Sequence, residues 1–128
     1  MSVIHAALNA RLDTLSLPTA WENKSFDPPE GELWIRETFM PAEKRASAMG
    51  TSSQNRNRGI YQVDVFRPLG EGSGEAEEAV ETIENLFKRG TVIGSGITIE
   101  SASRLAGRKS EPWYMVPVII RYRADINN

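Results

Sequence analysis

With 128 residues, 40% of them hydrophobic and 25% charged, the chain has the size and mix of one ordinary folded domain around one core. A net charge of −2 gives no field favouring nucleic acid or an anionic membrane. The absence of Cys excludes disulfides, thiolate nucleophiles and Cys-ligated metals.

No apolar run reaches the roughly 20 residues of a membrane span. The start, "MSVIHAALNARLDTL", lacks a basic segment followed by a long apolar one, so it does not read as a signal peptide. The protein is expected to be made and used inside a cell, or in something assembled there.

Ile4, Ala7, Leu8, Leu12 and Leu15 fall at three- and four-residue steps, which predicts a helix over 2–15 with one apolar stripe, ended by Pro18. The segment "LPTAWENKSFDPPEGE" then reads as an irregular crossing anchored by Trp21 and Phe26. A strand is predicted over 33–40, with Leu33, Ile35 and Phe39 on one face and Pro41 stopping it. Residues 42–58 have little apolar content and no period, so they read as a long polar loop, mobile until it meets a partner.

A second strand is predicted over 60–67, with Tyr61, Val63 and Val65 on one face. Residues 75–89 read as a helix with Ala76, Val80, Ile83 and Phe87 along its apolar side, stopped by Gly90. A third strand lies around 97–103, "LAGRKSE" reads as a turn, and "PWYMVPVIIRYRAD" is a long fourth strand. Within it Val118, Ile120 and Tyr122 share a face, Arg121 and Arg123 stand on the opposite one, and Pro117 points to a bulge or an edge. The arginines suit a second sheet face that is partly open or meets another subunit. Ordinary solvent exposure explains them equally well.

The order helix, strand, strand, helix, strand, strand predicts an α+β fold. One mixed, mainly antiparallel sheet would carry two helices packed on one face, as a single domain over 1–128.

The three glycines of "RPLGEGSGEAEEAV" pose the question of a phosphate loop. A dinucleotide fingerprint would need Gly at 75, where the chain has Glu75, and no Lys completes a P-loop. Glu75, Glu77 and Glu78 already use the positive end of the helix and would repel an anion. The stretch therefore reads as a turn feeding a helix. His5 is the only histidine and lies beside an apolar stripe, so it reads as structural rather than catalytic. One His and no Cys make a transition-metal cluster improbable, and the Glu-rich helix shows no organised loop of oxygen ligands. No catalytic, cofactor or metal site is expected. Lys44, Arg45, Arg56 and Arg58 are cations without interleaved aromatics, a weak nucleic-acid signal.

Taken together, "LPTAWENKSFDPPEGELWIRETFMP", "GIYQVDVFRPLGEGSGEAEEAVETIENLFKRGT" and "PWYMVPVIIRYRAD" resemble phage tail terminator-like proteins of the minor tail protein U type, from long-tailed phages and prophages. The resemblance covers most of the chain and implies an α+β fold with a structural, non-catalytic job. Such proteins cap the head-proximal end of the tail tube, usually as a six-membered ring, stop its growth and offer the surface to which the head attaches. The implied partners are further copies of the chain, the tail tube protein and a head-completion or neck protein, with no cofactor, membrane or nucleic acid. The implied location is the host bacterial cytoplasm during assembly, then the virion tail. In a ring, Glu75, Glu77 and Glu78 would be free to meet Lys44, Arg45, Arg56, Arg58, Arg121 or Arg123 of a neighbour. That pairing is read from charge and not from the resemblance. The alternative is a small nucleic-acid-binding regulator using the basic loop 44–58. A small enzyme with an unrecognised carboxylate site ranks third.

Overall fold

The computed structural model describes residues 3–46, 54–70, 74–94 and 96–127 and, of 42–46, 54–56 and 125–127, the backbone alone. Helix α1 (Val3–Asp13) is followed by β1 (Thr19–Ala20), β2 (Trp34–Ala46) and β3 (Gln54–Pro68). Helix α2 (Gly74–Leu86), β4 (Val92–Ile93), β5 (Ile97–Arg104), β6 (Arg108–Ser110) and β7 (Trp113–Asn127) complete the chain. The strands form one sheet in the order β1-β2-β3-β7-β5-β4, with β6 also paired to β7. Only β1 runs parallel to its neighbour, so the sheet is mixed and mainly antiparallel. The α+β expectation holds.

One core fills the space between the helices and one sheet face. Ile4, Leu8 and Leu12 enter it from α1, and Ala76, Val80, Ile83 and Phe87 from α2 and its end. Tyr61, Val63 and Val65 of β3 meet Val118, Ile120 and Tyr122 of β7 beneath them, all buried. Each of these positions follows from period 3.6 on a helix or period 2 on a strand. Trp21 packs half-buried against this core. A smaller cluster of Trp34, Phe66 and Met115, with Phe26 and Trp113 beside it, closes one end of the other sheet face. Trp34 stacks on Phe66 at 4.0 Å.

The strands differ from expectation in several places, beginning with the short β1 and β4, which fall where no strand is expected. Pro41 does not stop β2: it pairs with Gly59, and the register shifts between Pro41 and Glu43. Since β1 pairs only with Ile35 and Arg36, β2 is an edge strand at Pro41, where a bulge can absorb a proline. The stretch read as a polar loop is largely ladder. Glu43↔Arg58 through Ala46↔Asn55 pair on one side of β3, and Asn55↔Ile126 through Arg58↔Arg123 on the other. Polar residues at nearly every position there erase the alternation that marks a strand. Residues 47–53 lie outside the described residues.

The segment read as a turn contains β6, which pairs Arg108 with Met115 and Ser110 with Trp113. Pro117 sits neither at an edge nor in a bulge, because β7 lies between β3 and β5. Its carbonyl accepts the Leu105 N–H at 2.9 Å. A strand residue's N and O face the same neighbour, so the proline nitrogen points where the chain leaves the ladder between β5 and β6. No ladder donor is lost there.

Candidate interaction surface

Two charged surfaces stand on opposite layers of the domain. The first is the outer side of α2. Since Ala76, Val80 and Ile83 face the core, Glu78 and Glu81 project outward and are exposed, with Glu84 half-buried on the flank. The acidic first turn was expected to be free for a neighbour, but two of its carboxylates are held within the chain. Arg67 Nη1 lies 2.9 Å from Glu75 Oε2, and the Arg104 guanidinium pairs with Glu77. Both arginines are brought there by the fold: Arg67 is the last residue but one of β3, and Arg104 ends β5 beneath α2. Glu78, Glu81 and Glu84 make no ion pair among the described residues.

The second surface is the uncovered sheet face toward the far ends of β3 and β7. Register places Arg58 opposite Arg123, Ile60 opposite Arg121 and Arg56 opposite both Arg45 and Asp125. Arg58, Arg121 and Arg123 thus share this face, while the backbone of Arg45 pairs with Arg56 and that of Lys44 with Asn57. Among the described side chains Glu100 is a carboxylate beside them. Glu100 sits in the β5 bulge between Ile99 and Ser101 and lies 3.6 Å from both Arg58 and Arg123. Arg121 is exposed and makes no ion pair among the described residues. Met40, Ile60 and Ile119 adjoin the arginines and are partly exposed.

The interior holds polar groups that sequence reasoning missed. His5 Nε2 bonds Glu37 Oε2 at 2.9 Å, and Tyr61 Oη donates to Asn9 at 2.5 Å. Glu37 is 1% exposed. It sits between Ile35 and Phe39 on the face whose alternation demands an apolar residue, and that was the signal for it. On the other face Asp64 is also buried, held by Arg36 at 2.9 Å and Gln62 at 2.7 Å. Burial, with the nearby Glu37 and Glu22 carboxylates adding to it, pushes the Tyr61 phenol far up. Burial alone raises Tyr122 to about 12. These groups fasten helix to sheet and strand to strand. A groove of about 290 Å³ between α1 and the crossing is lined by Asn9, Trp21 and Glu22 and reaches neither His5 nor Glu37. Among the described residues no three His, Asp or Glu side chains could hold a metal ion together.

The two charged surfaces are the features that stand out among the described residues. One solved chain is similar to this one over 98% of this chain and 95% of its own, with a TM-score of 0.75 and 29% identity. No curated protein sequence matches. The family described as phage tail terminator protein matches residues 3–122, from the first turn of α1 to Tyr122 of β7. That span includes both helices, six of the seven strands in full and most of the seventh, and the chain belongs to the phage tail terminator protein family.

Proposed function

We propose that this protein caps the head-proximal end of the phage tail tube as a ring, six-membered in the usual arrangement, ending tube polymerisation and offering the surface to which the head joins. Family membership makes it a structural phage tail component that works beside other tail proteins. The observation that carries the finer reading is the extent of the match, which takes in nearly the whole domain rather than one motif. Its surface is consistent with such a role: charge is sorted onto two opposite layers, as suits a subunit that must meet a like subunit and other tail proteins. The tube protein and a neck or head-completion protein are the other expected partners, with assembly in the host cytoplasm before incorporation into the virion.

Deleting the protein from the phage that encodes it tests this reading. Tails should then grow past their normal length and fail to join heads, as seen by electron microscopy. Tails of normal length joined to heads in the deletion would refute the terminator role.

A further inference from the structure

The geometry points to a head-to-tail contact between two copies of this chain, in which the acidic ridge of α2 on one copy docks against the arginine face of the sheet on the next. The inference rests on the ring reading and supplies its interface. Glu78, Glu81 and Glu84 form the ridge, while Arg58, Arg121 and Arg123 form its counterpart.

Three observations converge on this pairing. The first is location. The helices cover one sheet face and the arginines stand on the other, so no chain can bring its own ridge to its own arginines. Two copies joined this way leave one ridge and one arginine face unused. Such a contact is heterologous: it repeats, and it closes into a ring when the rotation per step permits.

The second is size. Glu78 to Glu84 spans about 9 Å of helix axis at 1.5 Å per residue. Arg121 and Arg123 stand about 7 Å apart along one strand, with Arg58 one strand spacing away from Arg123.

The third is the surrounding surface. Met40, Ile60 and Ile119 lie next to the arginines, and a trough of about 310 Å³ floored by Leu17, Leu33 and Ala79 runs beside Glu78. Each charged surface therefore has an apolar margin able to lose water on contact. Charge sets the encounter rate and the register of such a contact more than its strength.

A charge swap tests the contact on the full chain. One variant carries Glu78→Lys with Glu81→Lys, the other Arg58→Glu with Arg121→Glu. Self-association is followed by sedimentation velocity at low and high salt, and circular dichroism confirms the fold. The wild-type chain should associate, less so in salt, and each variant alone should associate about tenfold more weakly or worse. An equimolar mixture should recover association, because each variant supplies the charge that the other has reversed. A variant that associates like the wild type, or a mixture that stays apart, overturns the contact.

If the free chain does not associate, the same pairing is read in assembled tails. The chain has no Cys, so Glu81→Cys with Arg121→Cys provides two unique thiols. A bifunctional maleimide should yield a ladder of multimers from the doubly substituted chain and none from either single variant. Absence of the ladder overturns the contact. Normal tails built from the charge-reversed chains would remove this interface and leave the terminator role standing. Normal tails without the protein would remove that role itself.

Discussion

His5 Nε2 lies 2.9 Å from Glu37 Oε2, a contact that joins the first helix to the second strand across 32 residues of sequence. The other Glu37 oxygen accepts the Glu22 N–H at 2.7 Å, and Glu22 in turn accepts the Phe39 N–H at 3.0 Å. His5 also stacks on Phe39 with ring centroids 4.5 Å apart. Helix, crossing and strand thus share a single buried carboxylate. Glu37→Ala should lower stability by about 3 kcal/mol, because it removes the buried carboxylate that joins helix, crossing and strand. Urea unfolding measures this, and a loss below about 1 kcal/mol would mean that water reaches the site.

Phe87 is fully buried one residue beyond α2, with its ring centroid 5.9 Å from that of Tyr61. Phe87→Ala removes a large side chain from a place where helix and sheet meet. The expected cost is about 3–5 kcal/mol in chemical denaturation, while a change under about 1 kcal/mol would show that the neighbouring side chains collapse into the space.

Gly59 occupies a regular strand position where a Cβ would come within 2.5 Å of Tyr122 Oη and 2.7 Å of the Met40 carbonyl oxygen. The Tyr122 ring could swing away, but the carbonyl belongs to the β2–β3 ladder and cannot. Gly59→Ala should cost about 1–3 kcal/mol as the ladder spreads beside the Pro41 bulge. Thermal melts of the two chains report the difference, and equal midpoints would show that the ladder yields at no cost.

Alkaline pH should unfold the protein through its tyrosines. Tyr122 titrates at about 12 in the folded chain against the ordinary 10.0, and Tyr61 is raised further. The folded state therefore keeps protons that the unfolded chain has begun to lose. The stability tied to these phenols is complete below pH 10 and drains away as pH rises toward 12, by up to about 1.4 kcal/mol per pH unit for each group. Phenolate absorbance in the near ultraviolet should appear together with loss of circular dichroism. Phenolate signal from all the tyrosines while the fold persists would contradict the burial.

Much of this architecture was legible wherever burial has a period. Val80, Ile83 and Phe87, and Tyr61, Val63 and Val65, were placed on core faces from spacing alone, and the structure buries all six. What escaped depended on neighbours distant in sequence. Alternation puts Glu37 on the core face of its strand, but the partner that holds a carboxylate there, His5, comes from 32 positions away. Lys44, Arg45 and Arg56 read as loop because both faces of their strands are polar, yet β3 is paired on each side there. Pro117 looked like an edge residue because nothing local records that its flanking strand is interrupted at Leu105. In the two charged surfaces the charges themselves are plain. Their sorting is not: Arg67 and Arg104 claim Glu75 and Glu77, and only the fold brings those pairs together.

The place of β7 in the sheet has a consequence for how the protein is made. Both β3 and β5 pair with β7, and neither pairs with the other. Until Trp113–Asn127 has left the ribosome, the β2–β3 hairpin and the β5 segment have no strand to join them, and the core under α2 stays open. Folding is therefore not a stepwise event that follows synthesis. It awaits the last strand of the domain and then engages distant segments at once, with the slow closure such topologies entail. A nascent or prematurely ended chain would lack both the finished sheet and the closed core beneath α2.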